Sequence, residues 1–110
     1  VVVDGYTNLH AVWDDLLGVT RDEAYIDWMA KRLKKEHRKP PALSLDPNVW
    51  IEEGSALARE KAYAFPADVG TRDNPFRRTP AYEAGSLAVA HERAALAAYR
   101  LAAVLSSKLP

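Results

Sequence analysis

Residues 8–14 read Asn-Leu-His-Ala-Val-Trp-Asp and set a histidine and a carboxylate four positions apart in a segment with helical apolar spacing. Thr7 or Asn8 can cap a helix at this point. In an α-helix, residues i and i+4 lie one above the other, so we expect His10 and Asp14 to converge and to be able to share one cation. Spacing alone leaves open the alternative of an exposed, hydrogen-bonded pair.

The residues on either side of this stretch indicate how the first helix begins and ends. Upstream, the β-branched run at positions 1–3 leads into Asp4-Gly5, which is typical of a short strand followed by a turn. Downstream, Leu16 and Leu17 continue the apolar period, and Gly18 is expected to end the helix. We therefore expect a short N-terminal strand that leads into an amphipathic helix.

Two further helices are predicted in the middle of the chain. Residues 20–23, Thr-Arg-Asp-Glu, have the pattern of a capping box with the threonine as N-cap, and the helix that follows should end by Pro40-Pro41. Asp46-Pro47 combines an N-cap with proline at the first helical position, which predicts a third helix to about Tyr63. Gly54 inside that helix costs about 1 kcal/mol relative to alanine, so we expect a packing reason for it.

The last third of the chain predicts one long helix. Thr79-Pro80 repeats the cap-plus-proline signal, and an alanine-rich apolar pattern continues from Leu87 to Val104. Residues 65–78 have turn formers and no clear period, which indicates an irregular loop. The predicted fold class is mainly α, with four helices packed antiparallel or obliquely around one core and a short N-terminal strand.

Composition limits what this chain can do. Its 110 residues, 48% of them hydrophobic, predict a single domain over residues 1–110. Fifteen basic and 15 acidic residues balance, so any contact with nucleic acid would have to be local rather than driven by net charge. Without cysteine, histidines and carboxylates are the metal ligands to consider. No apolar run approaches the roughly 20 residues that span a bilayer, so we expect no membrane partner.

Three motifs together carry a resemblance to a known family. Asn-Leu-His-x-x-Trp-Asp at residues 8–14 resembles a signature of the S1/P1 nuclease family, the zinc-dependent nucleases related to bacterial zinc phospholipase C. Trp-Ile-Glu-Glu-Gly-Ser at residues 50–55 is similar to that family's Trp-x-Glu-Glu-Ser helix, with a glycine inserted. Tyr-Arg-Leu-Ala at residues 99–102 is similar to its closing helix, which usually reads Ala-Gly-x-Arg-Leu-Ala. The resemblance spans nearly the whole chain.

The departures from the family pattern predict a partial chain. Ala98-Tyr99 stands where the family usually has Ala-Gly, and Ser106-Ser107 stands where an asparagine is common. Family members are more than twice as long, begin with a tryptophan that binds zinc through its amino group, and have earlier histidine and aspartate ligands and a Gly-Gly-Asn loop. None of these has a counterpart here. The resemblance therefore implies the C-terminal portion of a phospholipase C/P1 nuclease-like fold.

The resemblance also implies an activity and a site. His10 and Asp14 would join one further histidine around one zinc ion of a three-zinc cluster, with Asn8 as a donor behind the ligands or simply as the helix cap. The intact protein would be an endonuclease that cleaves phosphodiester bonds of single-stranded DNA or RNA to give 5′-phosphates, as in nucleic-acid catabolism. The family implies a secreted or periplasmic protein. Residues 1–110 alone would hold at most an incomplete zinc site and should be inactive.

Other functions stay open at this stage. The chain could be a non-catalytic helical module that pairs with itself or with the missing N-terminal half, in which case residues 1–3 and the first helix should expose apolar faces. It could also be a phospholipase C-like phosphoesterase, although that family has glutamate in place of the aspartate, so Asp14 and Trp13 favour the nuclease. A helix-turn-helix DNA-binding protein is disfavoured because no helix has a basic recognition face.

The remaining charged residues have structural explanations. The basic run within residues 31–39 lies at a predicted helix C-terminus, where cations complement the helix dipole. Glu52 and Glu53 point about 100° apart on a helix, so we expect contacts with solvent and with salt-bridge partners rather than a catalytic pair. Arg100 is expected to anchor the final helix. His91 has no carboxylate four residues further on and is expected to be a packed or surface histidine.

Overall fold

Four α-helices account for most of the chain in the computed structural model, which describes residues 1–110. The elements are α1 (Leu9–Asp14), α2 (Glu23–Glu36), α3 (Pro47–Leu57) and α4 (Pro80–Lys108), with one turn of π-helix, Ala58–Ala62, directly after α3. There is no sheet, and the expected N-terminal strand is limited to isolated bridges from Val3 to Tyr6 and to Phe76. The prediction of a mainly helical fold with four helices is confirmed.

Local capping signals set the starts of the two later helices, as the sequence predicts. The Asp46 carboxylate accepts a hydrogen bond from the Asn48 amide at 2.9 Å, and the Thr79 hydroxyl accepts one from the Tyr82 amide at 3.1 Å. Proline follows each cap at the first helical position, where its missing N–H costs nothing. Both helices therefore begin at a cap-plus-proline pair.

The predicted start of α2 is wrong by two residues. Asp22, not Thr20, is the N-cap, and its carboxylate accepts from the Ala24 amide at 3.1 Å. The Thr20 hydroxyl instead accepts from the Asp22 amide at 3.1 Å, which forms a turn before the helix. Aspartate is at least as good an N-cap as threonine, so Asp22, which directly precedes the first helical residue, takes the position.

Two further expectations about glycines and helix ends are also corrected. α1 ends at Asp14 rather than near Gly18, which lies in the turn that follows with φ of +94°. Gly54 has no close neighbour, because a Cβ built there would meet nothing within 4 Å. The expected packing reason for this glycine is therefore absent.

The buried core lies at one end of the molecule and fixes α1. It consists of Val3, Leu9, Val12 and Phe76, so α1 packs on the N-terminal segment and on the loop before α4. The Phe76 ring stacks on Phe65 with centroids 4.4 Å apart, which extends this core into the loop. The expectation that residues 1–3 and the first helix expose apolar faces is confirmed for Val1 and Val2, which are 47% and 39% exposed. It is wrong for Val3, Leu9 and Val12, which pack with Phe76 of this loop.

Outside this core, the helices are loosely packed. The whole chain has an accessible surface of 8163 Å², whereas a compact protein of 12.2 kDa is expected to expose about 6,100 Å². Its radius of gyration is 16.2 Å, compared with about 13 Å for a compact domain of this length. Neither α2 nor α3 contributes a buried residue. The uncovered apolar faces therefore belong to α2, α3 and α4 rather than to α1.

Candidate metal centre

His10 and Asp14 meet on one face of α1, as their spacing predicts. Nε2 of His10 lies 3.1 Å from Oδ2 of Asp14. The two side chains are 86% and 64% exposed, so both can be approached from solvent. An imidazole nitrogen and a carboxylate oxygen are ligands that zinc accepts, at about 2.0 to 2.2 Å each. Two such atoms on one tetrahedral zinc are about 3.3 Å apart, so the pair is already close to that separation.

α1 is held in place by contacts on both sides of this pair. Asn8 is the N-cap, because its side-chain oxygen accepts from the Ala11 amide at 2.9 Å. The indole N–H of Trp13 donates to the Tyr82 hydroxyl at 3.1 Å, and that hydroxyl donates to the Ala62 carbonyl at 2.7 Å. Trp13 therefore ties α1 to α4 and to the π-helical turn. Asn8 has the capping role that the sequence allows, and its role behind the ligands stays a prediction.

An apolar cavity of about 320 Å³ adjoins the candidate site. His10 is in its wall, and the other lining residues come from α1, the end of α3, the π-helical turn and α4, among them Trp13, Leu57 and Val89. Arg93 is the one cationic residue of the lining. His10, but not Asp14, thus borders a mostly apolar depression.

The donors within residues 1–110 do not complete a zinc site. No group of three or more histidines, cysteines, aspartates or glutamates lies close enough together to hold a metal ion. His91 is on α4 and His37 caps the end of α2, and neither joins the pair on α1. A structural zinc site has four ligands and a catalytic one has three plus water. The pair fits zinc in donor type and spacing but supplies only half of a tetrahedral site.

The neighbouring charged residues form a separate network between α3 and α4. Glu53 accepts from Nη2 of Arg93 at 2.9 Å and from Nη2 of Arg100 at 2.9 Å. The hydrogen bonds from Arg93 and then Arg100 hold the pKa of the Glu53 carboxyl below its usual range. Arg100 also stacks on Trp50, with its guanidinium carbon 5.4 Å from the ring centroid. The predicted roles of Glu53 as a salt-bridge partner and Arg100 as an anchor are confirmed.

Arg93 is the residue that the sequence reasoning missed. It pairs with Glu53 and lines the cavity beside His10, so it links the network to the candidate site. Its spacing from Arg100 is seven residues, which is two helical turns, and this places both arginines on one face of α4. That spacing, together with a glutamate in the helix before, is the signal that could have identified the network.

Two residues of the basic run at the end of α2 form ion pairs with acidic residues of the same helix. Lys31 pairs with Asp27 at 2.7 Å and Arg32 with Glu36 at 2.8 Å, both along the helix surface. The Glu36 carboxyl accepts from Arg32, which lowers its pKa. Lys31 and Arg32 are therefore solvated helix residues with i,i+4 partners.

Comparison with known proteins supports one assignment. The family model for S1/P1 Nuclease matches residues 2–109, which is nearly the whole chain. The chain belongs to the S1/P1 nuclease family. No match was found among the curated proteins or among the solved structures.

Membership gives the pair on α1 a chemical context. S1/P1 nucleases are hydrolases of nucleic acid that are generally zinc-dependent and typically secreted. Residues 8–14, which resemble a signature of the S1/P1 nucleases, fold into the helix that brings imidazole and carboxylate together. None of the helices has both the length and the apolar character needed to cross a membrane.

Proposed function

We propose that His10 and Asp14 are two protein ligands of one zinc ion in a nuclease that cleaves single-stranded DNA or RNA and leaves 5′-phosphates. The remaining ligands come from residues outside positions 1–110. The observation that carries the proposal is the 3.1 Å approach of Nε2 and Oδ2 on an exposed helix face. Membership in the family supports the nuclease chemistry.

The chain's own residues would have defined tasks in this site. His10 binds as the neutral imidazole, and Asp14 adds a negative charge that offsets part of the charge of the ion. Held by His10 and Asp14 together with further ligands, zinc would supply an activated water and positive charge beside the phosphoryl oxygens. Leu9 and Val12, buried in the core, keep the ligand face of α1 turned outward. Asn8 supports the same geometry by capping the helix.

Zinc binding to residues 1–110 is the first test. Two ligands should bind zinc weakly, and calorimetric titration should show that His10→Ala and Asp14→Ala each lower the affinity by about tenfold or more. His91→Ala is the matched control, because it removes a histidine that lies on another helix and has no carboxylate at i+4. Equal zinc affinity in wild type and His10→Ala would contradict the ligand assignment.

Activity is tested in a longer protein that supplies the other ligands. His10→Ala should lower hydrolysis of a single-stranded oligonucleotide by roughly 100-fold or more, and the wild-type products should carry 5′-phosphates. Vesicles of phosphatidylcholine are the second substrate. Hydrolysis of the lipid without hydrolysis of the oligonucleotide would replace the nuclease with a phospholipase C-like phosphoesterase.

A further inference from the structure

Two consecutive hydrogen bonds connect α1, which carries the ligand pair, to the rest of the fold. The indole N–H of Trp13 donates to the Tyr82 hydroxyl at 3.1 Å, and that hydroxyl donates to the Ala62 carbonyl at 2.7 Å. All three residues are partly buried and pack against the core. We call these two bonds the Tyr82 link. The link joins three segments that are far apart in the sequence, namely α1, the π-helical turn and the start of α4.

The π-helical turn supplies the acceptor at the end of the Tyr82 link. The Tyr63 amide donates to the Ala58 carbonyl at 2.9 Å, which is five residues back, whereas an α-helix would use the carbonyl four residues back. Ala62 is the last residue of this turn, so its carbonyl has no partner within the helix. The carbonyl is therefore free to accept from the Tyr82 hydroxyl, and the bond satisfies it.

Tyr82 is itself held in place on both sides. Its amide donates to the Thr79 hydroxyl at 3.1 Å, at the capped start of α4. Its ring meets the Phe76 ring edge-on, with centroids 4.8 Å apart, and Phe76 belongs to the core on which α1 packs. The core thus fixes the ring and the Ala62 carbonyl fixes the hydroxyl, so Trp13 donates to a stationary acceptor.

The place of Trp13 on α1 determines what the Tyr82 link controls. Leu9 and Val12 are buried in the core, and Trp13 lies about 60° around the helix axis from His10, between those core residues and the ligand pair. A helix of six residues that buries two side chains has few other contacts to oppose rotation about its axis. The bond from the indole opposes that rotation, and the direction in which His10 and Asp14 face depends on it.

We propose that Tyr82 is a positioning residue for the zinc site, acting through Trp13 to fix the direction of the His10–Asp14 pair. This role rests on the proposed function, in which both residues bind zinc. Rotation of α1 leaves the separation of the two ligands unchanged, because they share one helix, but it moves both relative to any ligand from another segment. Contacts that orient metal ligands typically change metal affinity by about 10- to 100-fold. Tyr82 acts through a further residue, so we expect about tenfold.

The test is the zinc requirement of a longer protein that supplies the other ligands, measured where circular dichroism shows every variant to be folded. Tyr82→Phe should raise the zinc concentration for half-maximal hydrolysis of a single-stranded oligonucleotide by about tenfold. Tyr99→Phe is the matched control, because Tyr99 is also on α4 and its hydroxyl donates to the His37 carbonyl at 2.8 Å, away from α1. It should change the zinc requirement by less than about twofold. An equal rise in both variants, or no rise in Tyr82→Phe, would overturn the proposal.

A second substitution tests the path through the indole. Trp13→Phe removes the donor of the same link, so it should raise the zinc requirement at least as much as Tyr82→Phe does. The double variant should require no more zinc than Trp13→Phe alone, because the link is already broken. If the two effects instead multiply, Tyr82 does not act through Trp13 and the proposal is wrong.

Hydrogen exchange of residues 1–110 without metal separates the role of Tyr82 from the zinc assignment. The Val12 amide donates to the Asn8 carbonyl at 3.4 Å and reports on the order of α1. It should exchange about fivefold faster in Tyr82→Phe than in Tyr99→Phe. Equal exchange would overturn the role of Tyr82 even where zinc binds. Faster exchange together with unchanged zinc binding in His10→Ala would instead refute the ligand assignment, and the positioning of zinc ligands with it, while the contact of Tyr82 with α1 would stand.

Discussion

Removal of the Glu53 charge should destabilise the packing of α4 on α3. Arg100 is 9% exposed and Glu53 is 35% exposed, and Glu53 accepts hydrogen bonds from both Arg93 and Arg100. The Nε atom of Arg100 is buried without a partner, so the ion pair is the main compensation for this charge. In Glu53→Gln the side-chain volume is kept and Arg100 loses that compensation.

The size of the effect follows from the degree of burial. Breaking a fully buried ion pair costs about 3–5 kcal/mol, whereas an exposed pair contributes about 0–1 kcal/mol. Glu53 is about one-third exposed, so we expect the free energy of unfolding to fall by about 2 kcal/mol. For a domain of this size, that change should lower the melting temperature by about 8–12 °C. Urea and thermal unfolding, followed by circular dichroism, measure both quantities.

Glu52→Gln is the control, because Glu52 is the exposed neighbour on the same helix and has no ion pair. It should change the free energy of unfolding by less than about 0.5 kcal/mol. Equal destabilisation by Glu52→Gln and Glu53→Gln would refute the reasoning, since the loss would then come from the helix and not from the arginines.

The same pair of proteins gives a pH dependence with a defined sign. Because the folded-state pKa of Glu53 is lowered, its charge stabilises the fold above the unfolded-state pKa of about 4.3. That stabilisation is lost as the pH falls through the lowered folded-state value. The difference in stability between wild type and Glu53→Gln should therefore be constant from pH 5 to 7 and should close below about pH 4.

Four further substitutions separate local from long-range effects. Gly54→Ala should stabilise the chain by about 0.5–1 kcal/mol in urea unfolding, because the new Cβ meets nothing within 4 Å. Gly70→Ala should destabilise it by about 1–3 kcal/mol, since φ is +92° and Val1 Cγ1 would lie 2.8 Å from the Cβ. Asn8→Ala should cost about 1 kcal/mol through the lost cap. Tyr82→Phe should cost about 1 kcal/mol and also lower zinc affinity in calorimetry, because α1 loses a tether. An unchanged zinc affinity in Tyr82→Phe would contradict that tethering role.

The parts of the fold that the sequence predicted are those decided within a few residues. The caps at Asp46 and Thr79 needed only the residue itself, the proline after it and an amide two or three positions on. The approach of His10 to Asp14 is likewise a property of one helical turn. The error at Thr20 arose where two capping residues lay two positions apart and competed for one helix start.

The parts that the sequence did not predict depend on contacts between distant residues. Glu53 and Arg100 are 47 positions apart, and the helix period says which face each occupies but not which helices pack together. The same limit applies to the loop before α4, where Phe76 covers Val3 and Leu9 and buries a surface that was expected to be exposed. Neither contact has a local sequence pattern.

The candidate site depends both on the local spacing of its two ligands and on long-range contacts that hold α1, so the loss of either can remove zinc binding. The ligand pair is local, but a helix of six residues is too short to be stable alone in water. α1 therefore depends on Phe76 in the loop and on the Tyr82 hydroxyl, about 70 positions away, for its existence and orientation. A change far from His10 can thus remove the zinc-binding geometry while both ligands remain in the sequence, so the motif at residues 8–14 is necessary for the proposed site but not sufficient.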